Sequence, residues 1–116
     1  MIHDLRHGDI VWVDFGEPFG SEPGFQRPAI IMQSDAFNES RLRTTICIPL
    51  TTNLKAAHLP GTVLLKRSDT ALDRDCVALA YQITTIDRAM VYDWAGHLAE
   101  TRLEAVFKAL DLVLGR

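Results

Sequence analysis

Apolar positions along this chain fall into short dense blocks, separated by polar or Gly/Pro-rich stretches, until a helical repeat takes over near the C-terminus. Residues 8–15 (GDIVWVDF) are rich in β-branched and aromatic side chains and read as a strand. Gly16, Pro18, Gly20, Pro23 and Gly24 punctuate residues 16–27, which predicts a long loop. The next block, RPAIIMQS, is continuously apolar in its middle rather than alternating, so it reads as a strand buried on both faces. DAFNES predicts a turn or a short helical piece, with Asp35 or Asn38 as a local cap. RTTICIPL reads as a third strand closed by Pro49, TTNLKAAHLP as a polar loop and GTVLLK as a strand. RSDTALDRD reads as a second loop, CVALAYQIT as a further strand, and TTIDRAMVYDWAGHLA as a turn followed by a last short strand.

The tail has a different period. Leu103, Val106, Phe107, Leu110, Val113 and Leu114 recur at three- and four-residue intervals and form one apolar stripe. Thr101 and Glu104 have the spacing of a capping box, and Gly115 stands where helices commonly stop. The pattern predicts a mostly β fold with a C-terminal helix. Several short strands and long loops in this length suggest a small, strongly bent barrel, because closure is how small sheets hide their edges.

Composition narrows the class. A chain of 116 residues has room for one core, so residues 1–116 are expected to form a single domain. No apolar run approaches the roughly 20 residues that span a bilayer. The N-terminus lacks the basic-then-apolar layout of a secretory signal, so cytoplasmic residence is expected. Cys47 and Cys76 sit in apolar blocks and read as buried free thiols, a disulfide being the alternative. His3, His7, His58 and His97 show no ligand spacing with the cysteines or with one another, so neither a metal nor another cofactor is expected.

The net charge of −3 argues against a nucleic-acid partner, but its distribution changes that picture. Between Arg41 and Arg67 lie Arg41, Arg43, Lys55, Lys66 and Arg67, with no acid among them. Such a zone can attract phosphates whatever the total charge, because salt confines each field to about 10 Å.

Three places could carry chemistry. Arg27 leaves a Gly/Pro-shaped loop immediately before Pro28, which holds its backbone extended and fixes its direction. An arginine so presented suits bidentate capture of phosphate; its ordinary alternative is a surface ion pair with Glu22 or Glu17. PLTTN ends a strand with hydroxyls and an amide that could hold phosphate oxygens or merely cap a loop. Gln82 interrupts an apolar strand, where it either satisfies backbone groups or reads a base. No pair of histidines is set up for two-imidazole acid–base work, and no P-loop, GxSxG, HExxH or Gly-rich dinucleotide turn is present.

Together, GDIVWVDFGEPFGSEPGFQRPAIIMQSDAFN, IPLTTN, VALAYQITTID and the terminal amphipathic helix closely resemble the MazF/PemK-type toxins, over nearly the whole chain. The resemblance implies an SH3-like β-barrel that forms a homodimer and cuts single-stranded RNA at short sequences. It implies that no metal takes part and that a cognate antitoxin neutralises the protein. The family's catalytic arginine then falls on Arg27, its threonine on Thr51, and a loop glutamate on Glu22. Asn38 and Gln82 match positions that line the family's RNA groove. Phe19, Phe25 and Phe37 are available to stack on splayed bases, or else to plug the core, and Lys55 lies in the acid-free zone.

Other readings compete. A gyrase inhibitor resembling the CcdB-type poisons would use the same barrel, but should lack both RPA and TTN. An inactive relative acting as a binding module should not need an intact Arg27 and Thr51. A peptide-binding SH3-like module would be expected to display more aromatics than the 8% found here.

Overall fold

The computed structural model describes residues 4–116, so His3 lies outside the described residues. All strand pairs are antiparallel. β1 (Asp9–Asp14) and β2 (Gln26–Ile31) form a hairpin across the long loop, with Val13 opposite Arg27 and Ile10 opposite Ile30. The other edge of β1 takes β7 (Val91–His97), with register shifts at Ile10/Val11 and Trp12/Val13 that bend the pair. β3 (Thr44–Thr51) is the strand the rest is built around. One edge pairs with β2 from Cys47 to Pro49; the other takes β6 (Thr84–Asp87) along its first half and β5 (Cys76–Leu79) at Leu50 and Thr51. β4 (Thr62–Leu65) completes the order β4-β5-β3-β2-β1-β7, with β6 beside β3.

The expected barrel is strongly bent but not closed by hydrogen bonds, since β4 and β7 do not pair. Helices protect those edges instead. α2 (Arg67–Thr70) packs against β7 so tightly that a Cβ on Gly96 would stand 2.7 Å from the Thr70 carbonyl oxygen. α3 (Glu100–Leu114) lies against β4, where the Arg102 guanidinium donates to the Leu64 carbonyl at 2.8 Å.

The continuous apolar blocks are explained by a sheet buried on both faces. Ile10, Ile30, Ile48, Leu50 and Leu65 meet Leu103, Val106 and Leu110 of α3 on one side. Val11, Val13, Ala29, Ile31, Cys47, Ile86 and Val91 pack on the other, with Leu5. Burying one such Val, Leu or Ile side chain stabilises the fold by roughly 1.5–3 kcal/mol. Both cysteines are buried and free.

Several local expectations are corrected. CVALAYQIT is not one strand, because a 3-10 turn (Ala80–Gln82) separates β5 from β6. RSDTALDRD contains α2, which stops at Ala71 in the left-handed region, φ 66°. α1 (Asp35–Asn38) starts after Ser34, and neither Asp35 nor Asn38 caps it. The Asp35 carboxylate accepts instead from the His7 N–H at 2.7 Å. Thr101 and Glu104 form no capping box: α3 begins two residues earlier than that box requires, after Ala99, which places Thr101 inside the first turn. The stop at Gly115 is as expected, with φ 75° and the Arg116 N–H donating to the Asp111 carbonyl at 2.8 Å.

Candidate active site

β2 and β3 pair as far as Ala29 opposite Pro49. Two residues further along each strand, and therefore on the same face, stand Arg27 and Thr51. Val13 is level with Arg27 on one side and Val77 with Thr51 on the other, so the two polar side chains interrupt an apolar row. Both are partly buried. Among the described residues no carboxylate lies within ion-pair distance of Arg27, which removes the Glu17 and Glu22 pairing as its role here.

Thr51 is set by the corner after it. Its hydroxyl oxygen accepts from the Asn53 N–H at 3.2 Å, and the Asn53 side-chain oxygen accepts from the Lys55 N–H at 3.2 Å. With a lone pair so occupied, the hydroxyl hydrogen is left to donate outward. Lys55 itself is exposed in the 3-10 turn Leu54–His58 that follows.

The 15–25 loop is pinned at its neck. Asp14 accepts from the Gly16 N–H at 3.0 Å, the Phe25 N–H donates to the Gly16 carbonyl at 2.6 Å, and the Phe15 N–H to the Phe25 carbonyl at 2.9 Å. Phe25 takes φ 61°, an uncommon conformation for a bulky residue, two positions before Arg27. The far end of the loop is tied down as well: the Gln82 amide donates to the Ser21 carbonyl at 3.0 Å. Gln82 lies in the connection from β5 to β6, which the register sets beside the Cys47–Leu50 stretch of β3 on the edge away from β2, so this bond ties the loop across β3. Glu22 is the residue after Ser21 and is exposed. The Gln82 side-chain oxygen is buried without a hydrogen-bond partner among the described residues.

The remaining expected residues divide. Phe19 is 85% exposed, Phe25 64% and Phe37 57%, so none plugs the core. Asn38 departs from its expected place in the groove, because its side chain is buried in a polar network. It accepts from the Gln33 amide (3.1 Å) and the Thr45 hydroxyl (2.9 Å) and donates to the Gln33 carbonyl (2.9 Å). Its own carbonyl takes a hydrogen bond from Arg88.

Two cavities flank β3. The larger, about 550 Å³, lies at the Thr44 end, lined by Arg41, Arg43, Arg88, Leu5 and Leu42 among others, a strand's length from Thr51. The smaller, about 380 Å³, opens beside Thr51 and is lined by Thr52, Leu54, Arg67, Asp73, Arg74 and Asp75. Of this second set the sequence points to Arg67, in the acid-free zone, and Thr52, in PLTTN; for Asp73, Arg74 and Asp75 the signal available was the alternation of cations and carboxylates within RSDTALDRD. No group of three or more His, Cys, Asp or Glu among the described residues is arranged to hold a metal ion.

Residues 6–114 match the family described as the PemK-like, MazF-like toxin of type II toxin–antitoxin systems. The chain belongs to this family. It is 36% identical over 110 residues to "Endoribonuclease MazF2" of Mycobacterium bovis, covering 95% of this chain and 96% of that protein. It is 32% identical over 111 residues to "Endoribonuclease MazF" of Staphylococcus saprophyticus, covering 96% and 92%. Among solved structures, MazF from Deinococcus radiodurans superposes with a TM-score of 0.83 at 25% identity, over 99% of this chain and 100% of that one. A mycobacterial endoribonuclease solved with its cognate antitoxin gives 0.78 at 22% identity, over 96% and 95%, a likeness of fold. The PemK/MazF fold therefore stands here in its mostly β form with a C-terminal helix.

Proposed function

We propose that this chain is the toxin of a type II toxin–antitoxin pair and cleaves single-stranded RNA between Arg27 and Thr51. The observation that carries the reading is an arginine without a carboxylate partner, level with a threonine hydroxyl whose proton is free to donate, beneath a loop tied across both strands. Support also comes from the relatives named endoribonucleases along almost their whole length.

In this reaction the RNA supplies its own nucleophile. The 2′-oxygen bonds to the neighbouring phosphorus as the bond from phosphorus to the 5′-oxygen breaks. The 2′-hydroxyl loses its proton and the leaving oxygen gains one, giving a 2′,3′-cyclic phosphate and a 5′-hydroxyl without metal. Arg27 stays protonated, so its work is to neutralise charge on the pentavalent phosphorus or donate toward the leaving oxygen. Thr51 adds a hydrogen bond to the same charge. Glu22 is the carboxylate available to take the proton or to orient Arg27 when RNA brings the loop down. Phe19 and Phe25 on the loop, with Phe37, Gln82 and Lys55, are assigned to holding the strand.

The partners follow the same reading: a cognate antitoxin and a second copy of this chain, in the cytoplasm. Leu42 and Ile46 are exposed beside β6, whose outer edge has no strand partner among the described residues, and such an edge suits a second copy. Two free thiols fit a reducing compartment. No helix among the described residues is long and apolar enough to cross a membrane.

The experiment is cleavage of a long mixed-sequence RNA in EDTA, with the new ends mapped and their chemistry identified. Discrete cuts ending in 2′,3′-cyclic phosphate are expected. Intact RNA after incubation with folded protein would reject the reading and turn attention to gyrase.

A further inference from the structure

We propose that the cleft formed by Leu54, Arg67, Asp73 and Arg74 is a base pocket that selects guanine beside the scissile phosphate. The inference rests on the ribonuclease reading and adds to it the source of sequence choice.

Position comes from the strand register. Thr51 stands opposite Val77 in β5, and the chains flanking that pair continue as Thr52 on one side and Cys76 and Asp75 on the other. The cleft of about 380 Å³ lies there, at the end of β3. Arg27 is on the β2 side of Thr51, and the cleft is lined from Thr52, the next residue in the chain, and from Asp75, two residues before Val77, so it adjoins the end of the reacting row. A nucleotide next to one held between Arg27 and Thr51 can turn its base toward it.

The segment around the cleft is held by several hydrogen bonds, and its spare groups are identifiable. The Asp69 carboxylate accepts from the Lys66 N–H at 2.8 Å and lies 3.8 Å from the Arg102 guanidinium. Asp75 accepts from the Arg67 N–H at 2.9 Å and faces the Lys66 ammonium at 4.0 Å. The Arg74 carbonyl takes the Cys76 thiol at 3.5 Å. These bonds fix the backbone and use up two carboxylates. Among the described residues nothing takes up the guanidinium groups of Arg67 and Arg74 or the carboxylate of Asp73, all exposed around the cleft.

That remainder is specific in chemistry. Two guanidinium groups offset by carboxylates make a poor track for phosphate alone, since the lining of the cleft is balanced in charge. A fork of donors beside an acceptor-only group fits an edge that offers acceptors and donors together. Guanine presents O6 and N7 to an arginine, and its N1–H and N2–H groups to an aspartate. Leu54, exposed at the mouth, provides an apolar wall for the flat face of the base.

The test compares wild-type protein with Arg74→Ala, Arg67→Ala and Asp73→Asn on a randomised single-stranded RNA library, with cut sites sequenced. Because all three side chains are exposed, folding is expected to survive, and circular dichroism with thermal melting verifies it. The wild type should favour guanine at one position flanking the cut by about tenfold or more. That preference should collapse to under about threefold in Arg74→Ala and Asp73→Asn while cutting continues. Equal slowing on every sequence with an unchanged guanine preference would reduce the arginines to phosphate contacts and overturn the proposal. So would a wild type that cuts with no guanine preference at either flanking position. A wild type that cuts no RNA at all would instead reject the ribonuclease reading on which the proposal stands.

Discussion

Arg27 and Asn38 lie close in sequence, yet their removal should take away different things. Arg27 is partly buried with no ion-pair partner among the described residues, so its guanidinium adds little to the folded state. Arg27→Ala is expected to slow single-turnover cleavage at least about 100-fold, in line with about 2.7–4 kcal/mol for one lost transition-state donor. A change below tenfold, with the melting temperature unaltered, would take Arg27 out of the mechanism. Asn38 has the opposite profile. Its amide joins Gln33 and Thr45 inside the protein, and Asn38→Ala leaves buried groups without partners, at a cost of about 1–3 kcal/mol. Urea denaturation should show that loss, while the cleavage consensus of the folded fraction stays as it was. Both residues could be picked out in the chain, but only burial separates them. "RP" announces an extended, directed arginine, whereas nothing in "DAFN" says which side of a four-residue helix turns inward.

At the scale of elements, loop 15–25 is fastened at two places with separate tasks. The neck, closed through Gly16 and Phe25, delivers the chain into β2 and so aims Arg27. The Gln82–Ser21 bond holds the tip over β3. Gln82→Ala should leave the melting temperature within about 1 °C of wild type, because one exposed hydrogen bond is lost. Limited proteolysis should then cut the loop several-fold faster, and the KM for RNA should rise more than kcat falls. Unchanged proteolysis would show that the tip is held by something else. Strands and the terminal helix were legible in advance because β-branched blocks and a 3.6-residue stripe are strong local signals. The 3-10 turn at Ala80–Gln82 was not, since it is imposed by β3 handing its edge from β5 to β6. The missing capping box has a similar origin: docking of α3 on β4, through Arg102, helps determine where the helix starts.

For the whole molecule, the two-faced core makes stability sensitive to alkali. Cys47 sits between β2 and β6, and burial pushes its thiol from 9.0 up to about 12. Below pH 9 the thiol is protonated in both folded and unfolded chains and pH has no leverage through it. Between pH 9 and 12 only the unfolded chain releases the proton, so stability falls as pH rises, by up to about 1.4 kcal/mol per unit. Melting temperatures at pH 8 and 10.5 should drop less in Cys47→Ala than in wild type, whatever the mutant's starting stability. An equal drop would mean that the thiol is reached by solvent in the folded protein. The total charge was a poor guide at this scale. What matters is where Arg67, Arg74 and Lys55 stand around the end of β3, and a count of acids and bases cannot show that.

β3 pairs with β2, β5 and β6 at once, and Thr51 is its last residue. The threonine proposed to act in cleavage is thus carried by the strand that three others pair with. On that reading the blade cannot be slackened while the handle is kept: a copy in which β3 has come away from β2 loses the alignment of Thr51 with Arg27. For a cell that makes such a toxin, that is a safety catch. Only finished molecules are armed, and anything that pries β3 loose disarms them before the last of the structure is gone.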